Sequence, residues 1–372
     1  MRVLHFYRTY FPDSQGGLEE VIRQICQSST AHGVESRVLS LSRTPASEPV
    51  QRNECLLFQA KMDFEIASCS IGLFAGKIYQ PLLDWADVVH LHYPWPYSDL
   101  LHLIYSSNKP TVLTYHSDVV RQRFLRALYK PLEYSYLNSV NEIVATSETY
   151  KNTSKNLKKY AAKTSVIPIG IDELTYPVPS ADKLAQVKDT YGEDFFLFVG
   201  MLRYYKGLDT LISAAQGLSK QVFIVGKGPE ELSLRNQIKR LGCDNVELLG
   251  FIDDETKMAL YQLSRCVVLP SHLRSEAYGV SLVEGAMMSK PLISADVGSG
   301  TTFVNIHQQT GIVVKPKCVQ SLTNALQRLA EDDQLVDEYG INARRHFETE
   351  MTAEKMGRRY VQLYEKLIEN HA

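Results

Sequence analysis

Two glutamates with seven residues between them, Glu276 and Glu284, are the residues of this chain best suited to do chemistry. A buried parallel strand is predicted just before them, and apolar residues recur at helical spacing from Val280 onward. Free N–H groups and the helix dipole favour a phosphate at such a junction of strand, loop and helix. Carboxylates on either side of the phosphate can accept hydrogen bonds from sugar hydroxyls. Alternatively, Glu276 is only a charge at the helix N-terminus and Glu284 is a solvated helix residue.

Two cations follow another predicted strand, which ends at Gly200. Arg203 and Lys206 lie between this strand and a helix that begins at Leu208, where they can clamp a diphosphate. The next strand ends at Gly226, and a glycine at that place lets the backbone approach a nucleotide base closely. Both loops therefore predict parts of a nucleotide site.

The first half of the chain repeats this layout. Gly16 and Gly17 separate the first predicted strand from a helix that begins near Leu18, although most glycine pairs are only turns. Polar residues also follow later strands, at the edge where open parallel sheets bind their ligands. These residues are His92, His116, Asp118 and Ser147, and each of them by itself can be an ordinary loop residue.

Apolar strands alternate with helices along the whole chain, which predicts an α/β fold with parallel sheets and right-handed crossovers. The 372 residues are too many for one ordinary core. A stretch with two prolines, from 171 to 181, marks the boundary between domains of residues 1–175 and 176–351. Helices are predicted, among other places, at 71–83, 319–330 and 352–369.

The composition is that of an ordinary globular protein, with 44% hydrophobic and 22% charged residues. A net charge of −2 leaves no global footprint for nucleic acid. The six cysteines are scattered without metal or redox spacing, which favours reduced thiols in the cytoplasm. The sequence has neither the pattern of a signal peptide nor an apolar run that spans a bilayer, so at a membrane we expect the protein to lie on the surface.

One stretch is both basic and apolar. Between residues 109 and 163 there are ten Lys and Arg against four Asp and Glu, and the segment 119–130 combines the two properties at helical spacing. This segment predicts an interfacial helix that is drawn to anionic lipid or to a lipid pyrophosphate, with a packed surface helix as the alternative. Its basic residues are Arg121, Arg123, Arg126 and Lys130.

Taken together, these motifs resemble the retaining GT-B glycosyltransferases that carry two glutamates in an E-x7-E element. The run from Glu276 to Glu284, followed by Lys290 to Ser294, is similar to the mannosyl- and rhamnosyltransferases of bacterial surface-polysaccharide pathways, and so are the segments 204–207 and 298–301. The resemblance covers the whole chain. It implies two Rossmann-like domains that face each other across a cleft, with the last helix, about 352–372, crossing back to the first domain.

The resemblance also implies roles for individual residues. Glu276 contacts hydroxyls of the donor sugar and Glu284 accepts hydrogen bonds from the ribose. His116 contacts the transferred sugar. The expected contacts to the diphosphate come from Gly16, Gly17, Arg203, Lys206, Tyr278, Gly279 and Val280. Gly226 is a further residue expected to lie against the donor. Many family members carry arginine directly after the glycine that ends the strand, whereas this chain has Met201 there and Arg203 two residues later.

The expected reaction breaks a glycosyl–phosphate bond, so the main task is to stabilise the negative charge on the leaving nucleoside diphosphate. Cations and helix N-termini can do this without a metal or another cofactor, and the chain has no D-x-D triplet. The resemblance implies retention by a front-face route in which the leaving phosphate acts as the base. The expected donor is GDP-mannose, and the expected acceptor is a polyprenyl-diphosphate-linked saccharide of O-antigen or lipopolysaccharide synthesis at the cytoplasmic face of the inner membrane.

Four alternatives stay open or are set aside. Another donor would make the protein a rhamnosyl-, glucosyl- or N-acetylglucosaminyltransferase. A non-catalytic module that binds a nucleotide sugar is opposed by the intact Glu276 and Lys206. A Rossmann-type oxidoreductase would need the glycine spacing G-x-G-x-x-G, which neither glycine loop has. In a glycosidase two carboxylates flank the scissile bond, whereas these two flank a predicted phosphate turn.

Overall fold

A computed structural model describes residues 1–14, 16–66, 69–105, 107–118 and 123–371, except for the side chains of residues 123–127. The chain forms two compact units. One unit comprises Met1–Ile171 together with Ala353–Ala372, and the other comprises Asp172–Thr352. The predicted boundaries at 175 and 351 lie within four residues of these. The chain passes from the first unit to the second at Ile171–Asp172 and returns at Thr352–Ala353.

The first unit is built on an eight-stranded sheet with strand order β10-β9-β8-β7-β1-β2-β4-β3, parallel except for β3. Every residue of β7 is buried, as expected for a strand covered on both faces. A two-stranded hairpin of β5 and β6 stands beside this sheet. The elements are β1 Arg2–Phe6, α1 Gly17–Thr30, β2 Glu35–Ser42, β3 Val50–Gln51, β4 Leu56–Lys61, β5 Phe64–Ile66, β6 Cys69–Ile71, α2 Ala75–Trp85, β7 Val88–Tyr93, α3 Pro96–Ile104, β8 Thr111–Tyr115, α4 Arg123–Ser139, β9 Glu142–Ala145, α5 Glu148–Thr153, α6 Lys155–Lys159 and β10 Thr164–Val166.

The second unit has a fully parallel six-stranded sheet in the order β13-β12-β11-β14-β15-β16. Short apolar strands alternate with helices, so each connection is a crossover that returns to the same end of the sheet. The elements are α7 Ala181–Tyr191, β11 Phe196–Val199, α8 Leu208–Ala214, β12 Val222–Val225, α9 Glu231–Leu241, β13 Val246–Gly250, α10 Asp254–Leu263, β14 Cys266–Leu269, α11 Val280–Met287, β15 Leu292–Ala295, α12 Thr301–Val304, β16 Gly311–Val314, α13 Val319–Glu331 and α14 Asp333–Glu350.

The last helix, α15 Ala353–Glu369, belongs to the first unit. The amide of Ala353 donates to the carbonyl of Ile171, and the helix then packs along α1. Gly357 is necessary for this packing, because a Cβ at that position would lie 2.6 Å from the Cβ of Ser28. Tyr360 and Tyr364 are buried against the sheet. The chain thus returns to its first unit, as the resemblance implies.

Two helix predictions need correction. The helix expected at 71–83 begins only at Ala75, because Ile71 pairs with Phe64 of β5 in a hairpin and residues 72–74 connect that hairpin to the helix. Helix α14 was not predicted, because its buried apolar positions are sparse among charged residues. None of the described helices is long and apolar enough to cross a bilayer.

Candidate active site

Glu276 and Lys206 form a buried ion pair in the second unit. The Nζ atom of Lys206 lies 2.5 Å from Oε2 of Glu276, and the hydroxyl of Ser271 donates to the same oxygen at 2.9 Å. Only 12% of the lysine side chain and 10% of the glutamate side chain are exposed. Burial by itself would lower the pKa of Lys206, but the charge of Glu276, its hydrogen bond and the neighbouring Tyr205 together outweigh burial, so the pKa is raised and the lysine stays charged. Glu276 is therefore more than a solvated charge at a helix N-terminus.

The sheet brings this pair together across 70 positions of sequence. Strands β11 and β14 are neighbours, so the loops that leave their carboxyl ends start side by side. The loops touch directly, since the amide of His272 donates to the carbonyl of Tyr205 at 2.8 Å. Gly207 has a positive φ of 69° and lies against the carbonyl of Pro270, where a Cβ would not fit. The glycine thus lets the Lys206 loop close onto the Glu276 loop.

Glu284 lies on α11 and is also buried, with 8% exposure. The hydroxyl of Tyr261 donates to its Oε2 at 2.6 Å, and Nζ of Lys257 lies 3.8 Å from its Oε1. Both partners come from α10. Glu284 is therefore a positioned carboxylate rather than a solvated helix residue, and it retains lone pairs that can accept hydrogen bonds from a ligand.

The segment between the two glutamates contains the start of α11, with Gly279 as its N-cap residue. Gly279 has φ of 91°, and a Cβ there would approach the side chains of Leu269 and Leu282 to 2.8 and 3.1 Å. The tight turn ends the loop of residues 270–279 that leads from β14 to the N-terminus of the helix. The amides of Leu282 and Val283 donate to the carbonyl of Gly279 at 2.9 and 3.3 Å, so the first amides of the helix, those of Val280 and Ser281, are the ones that can face an anion. Tyr278 is buried beside Phe303.

Arg203 and Gly226 occupy the neighbouring loops of the same unit. Arg203 is exposed, and its Nε donates to the sulfur of Met201 at 3.0 Å. Gly226 follows β12 with φ of 134°, and its amide donates to the carbonyl of Gly250 at 2.8 Å. A Cβ on Gly226 would overlap the backbone of Gly200. The ends of β11 and β12 therefore meet at this glycine, while the expected ligand contacts of both residues stay predictions.

Gly16 and Gly17 stand at the start of α1 in the first unit, in the predicted order of strand, glycine pair and helix. Gly16 is the N-cap residue and Gly17 is the first helical residue. A Cβ on Gly16 would collide with the carboxylate of Glu19, which accepts a hydrogen bond from Thr9 at 2.7 Å. A helix N-terminus suits an anion, but the carboxylate of Glu19 already lies against this one, so the expected contact of Gly16 and Gly17 to a diphosphate stays a prediction.

His116 follows β8 and is 4% exposed. Its Nε2 lies 3.0 Å from Nδ1 of His92, and Nε2 of His92 lies 3.2 Å from Nδ1 of His5. Burial lowers the pKa of His116 to about 3, so the ring is neutral at physiological pH. Sequence reasoning found the strand-end histidines but missed His5, although its place in the first predicted strand was a usable signal.

The predicted lipid-facing residues are only partly described. Arg121 lies outside the described residues, and the side chains of Arg123 and Arg126, on the first turn of α4, lie outside them as well. Lys130 is exposed on the same helix, and so is Leu128 at 66%. The opposite side of α4 is anchored, because Tyr129 donates to Asp99 of α3 and Glu133 accepts a hydrogen bond from Tyr93.

Comparison with known proteins identifies the family. Residues 15–173 match the model named Glycosyltransferase Family 4, and residues 181–346 match Glycosyl transferases group 1. The chain is 46% identical to D-rhamnosyltransferase WbpZ of Pseudomonas aeruginosa, over 95% of this chain and 93% of that protein. It is also 43% identical to O-antigen chain mannosyltransferase C of Escherichia coli, over the full length of both. This chain belongs to the GT-B glycosyltransferases.

A solved structure supports the fold of this glycosyltransferase. The sucrose-phosphate synthase of Thermosynechococcus elongatus superimposes with a TM-score of 0.82, at 20% identity and over 99% of both chains. The predictions of family and of a two-domain α/β fold are thereby confirmed. The roles of the individual site residues in this glycosyltransferase stay predictions.

Breaking the buried ion pair should destabilise the second unit. We expect Lys206→Met to lower the free energy of unfolding by about 3 kcal/mol or more, because the variant leaves the carboxylate of Glu276 buried without its counter-charge. The double variant Lys206→Met/Glu276→Gln should recover part of that loss. Urea unfolding followed by far-UV circular dichroism measures both effects.

The matched control removes an exposed ion pair from the same unit. Lys188 and Glu193 lie 2.6 Å apart with half-exposed side chains, so Lys188→Met should change stability by less than about 1 kcal/mol. A double variant that is as unstable as the sum of its single variants would contradict the coupling.

The first unit should lose stability as the pH falls below about 6.5, the ordinary pKa of histidine. Burial lowers the pKa of His5 and His116 to about 3 and those of His90 and His92 well below 6.5. Unfolding releases these rings to take up protons, so the unfolded state gains up to about 1.4 kcal/mol per histidine between about pH 7.5 and 5.5. Tryptophan fluorescence is a selective readout, because both tryptophans lie in this unit.

An exposed histidine of the same unit serves as the control. His32→Gln should leave the pH dependence unchanged, because His32 is exposed in the folded protein. Equal urea midpoints at the two pH values would show that the buried rings are not held neutral.

Proposed function

We propose that the protein is a retaining mannosyltransferase that moves mannose from GDP-mannose to a polyprenyl-diphosphate-linked saccharide in O-antigen synthesis. The observation that carries the proposal is the 43% identity with O-antigen chain mannosyltransferase C along the full length of both chains. A rhamnosyltransferase is the second candidate, because the chain is 46% identical to D-rhamnosyltransferase WbpZ. D-Rhamnose is 6-deoxy-D-mannose, so the two candidates differ by one hydroxyl of the donor.

The ion pair of Lys206 and Glu276 supports a role for the second unit in stabilising the leaving group. As the glycosyl–phosphate bond breaks, negative charge grows on the leaving diphosphate. Lys206 and the first-turn N–H groups of α11 are held in place before the reaction, so they stabilise that charge without reorganisation. Arg203 is exposed and reaches the diphosphate when the ligand is bound. This set of donors supports a reaction that needs no metal or other cofactor.

The two buried glutamates divide the polar contacts of the donor. Glu276 accepts hydrogen bonds from hydroxyls of the transferred sugar, and its bonds to Lys206 and Ser271 fix the direction of the carboxylate. Glu284, held by Tyr261, accepts from the ribose hydroxyls. Neither glutamate is assigned as a nucleophile. Retention follows a front-face route in which an oxygen of the leaving phosphate takes the acceptor proton.

The first unit contributes Gly16, Gly17 and His116. The two glycines stand at a helix N-terminus, which supports a contact to the diphosphate once the carboxylate of Glu19 beside Gly16 moves aside. His116 contacts the transferred sugar at the carboxyl end of β8. Gly226, at the end of β12, leaves room for the nucleotide base.

A panel of nucleotide sugars tests the donor. We expect GDP release with GDP-mannose in the presence of a polyprenyl-diphosphate-linked saccharide, and release that is at least about tenfold slower with GDP-D-rhamnose, since a site built to bind a hydroxyl discriminates against its absence. The measurement is the initial rate of nucleoside diphosphate release. Faster turnover of GDP-D-rhamnose would favour the second candidate, and UDP release from a UDP-sugar alone would reject both.

A pair of glutamate variants controls the same assay. Glu276→Ala should lose more than about 10²-fold in turnover, because removing one preorganised polar contact typically has that effect. Glu247→Ala changes an exposed glutamate of β13 and should keep normal turnover. Near-normal turnover of Glu276→Ala would remove Glu276 from the site.

We also propose that the first unit lies on the inner membrane. Leu100 and Ile104 of α3 are 43% and 61% exposed, and Leu128 of the adjoining α4 is 66% exposed. Tyr129 and Asp99 tie the two helices together. Exposed leucines beside the exposed Lys130 are suited to the headgroup region of anionic lipid. A packed surface helix would instead bury Leu128.

Binding to vesicles that contain anionic phospholipid tests this surface. We expect Leu128→Asp to lower co-sedimentation at least about threefold, since it replaces an apolar contact by a charge that anionic lipid repels. The combined change of Arg123, Arg126 and Lys130 to Glu should lower it further. Leu232→Asp is the matched control, because Leu232 is 73% exposed on α9 of the second unit. Equal binding of both leucine variants and the unchanged protein would contradict the proposal.

A further inference from the structure

A line of three hydrogen-bonded imidazoles crosses the sheet of the first unit. It runs from His5 on β1 through His92 on β7 to His116 after β8. The nitrogen–nitrogen distances are 3.2 Å for the first contact and 3.0 Å for the second. His5 and His92 have no exposed surface, whereas His116 keeps 4%. The donor chemistry described above uses only His116, so the two inner rings require their own explanation.

The number of protons in this line is fixed by burial. Burial lowers the pKa of His5 and His116 to about 3 and that of His92 well below its ordinary value. Each ring is therefore neutral near pH 7 and carries one proton. Each contact needs one donor, and the contacts join Nδ1 of one ring to Nε2 of the next. Only two arrangements satisfy both contacts: all three protons lie on Nδ1, or all three lie on Nε2.

The inner end of the line distinguishes the two arrangements. Nε2 of His5 is buried and has no hydrogen-bond partner among the described residues. With the protons on Nε2, this end would be a buried N–H group without an acceptor. With the protons on Nδ1, it is an unused lone pair, and buried acceptors without a partner are more common in proteins than buried N–H groups without one. The Nδ1 arrangement is therefore favoured.

The outer end of the line then becomes a hydrogen-bond donor. Nε2 of His116 accepts from His92, so Nδ1 of His116 carries the proton. We propose that His5 and His92 are positioning residues that keep His116 neutral with its proton on Nδ1, so that His116 donates a hydrogen bond to a hydroxyl oxygen of the sugar and does not act as a base. The contact to the sugar rests on the proposed function, whereas the position of the proton does not.

His90 packs beside the line of imidazoles and is itself held by Tyr364 of α15. The ring of His90 stacks on that of His92, with centroids 4.5 Å apart, and is tilted against that of His5 at 4.7 Å. Its Nδ1 lies 2.7 Å from the hydroxyl of Tyr364, and its Nε2 lies 2.7 Å from the hydroxyl of Thr114. Because both nitrogens of His90 have partners, His90 holds the neighbouring rings in place without joining their line.

A metal ion is the rival occupant of the same nitrogens. His5, His90 and His92 each offer a nitrogen, and these atoms lie within 4.8 Å of one another. A zinc ion bound by all three rings would need lone pairs on His90 and His92 that the hydrogen bonds use. The hydrogen-bonded line and a metal centre are thus mutually exclusive, and one experiment separates them.

Nitrogen NMR of the full chain with ¹⁵N-labelled histidine reads the protons directly. We expect His116 and His92 to be neutral near pH 7 with the proton on Nδ1, and the signals that disappear in His116→Gln and His92→Leu assign the two rings. A proton on Nε2 of His116, or a charged His116 ring, would overturn the proposal. Zinc at one equivalent per chain in the purified protein would overturn it as well.

Two substitutions of His92 separate positioning from general damage. His92→Leu removes the donor to His116, so we expect two tautomers of His116 and a kcat about tenfold lower, while KM for the donor changes less than about threefold. His92→Asn places an amide where Nδ1 lies, and it should restore a single tautomer and most of kcat. His102→Leu, which changes another buried histidine of this unit, should leave the His116 signals unchanged.

The outcomes also separate this proposal from the proposed function. If His116 has its proton on Nδ1 and the protein releases no nucleotide from any donor, the sugar contact fails and the positioning stands. If His92→Leu lowers kcat while His116 keeps a single unchanged tautomer, the positioning fails and the transferase activity stands.

Discussion

Parallel pairing of the strands is the constraint on which both halves of this protein depend. A parallel strand can be reached only by a crossover, so every loop that leaves a carboxyl end starts from the same edge of its sheet. Lys206, Gly226 and Glu276 follow β11, β12 and β14, three adjacent strands of one sheet. Residues up to 70 positions apart in sequence therefore come within contact distance without any long-range motif.

The ion pair of Lys206 and Glu276 shows what such a location makes possible. A buried pair of charges contributes little net stability, because desolvation offsets most of the attraction. What the pair fixes is orientation: the lysine charge and the carboxylate face each other, and Ser271 donates to the shared oxygen. A site that stabilises a leaving diphosphate gains from charges that need no rearrangement.

The two relatives explain why the donor is harder to assign than the family. The chain has similar identity to a mannosyltransferase and to a D-rhamnosyltransferase. The two relatives therefore show the family but not the transferred sugar. Discrimination between sugars that differ by one hydroxyl depends on one or two polar contacts, which leave no signal in residue spacing.

The sequence by itself determined the alternation of strands and helices, the two-domain division near residue 175 and the two glycine turns, because apolar periodicity and glycine are local signals. It also indicated Glu276, Glu284 and Lys206 as site residues. Only the tertiary structure decided their partners: Ser271 and Lys206 for Glu276, Tyr261 for Glu284, and His5 for His92, 87 positions away. These pairs depend on the tertiary fold, which periodicity does not encode, and the pairing of Ile71 with Phe64 of β5, at a position predicted to begin a helix, was missed for the same reason.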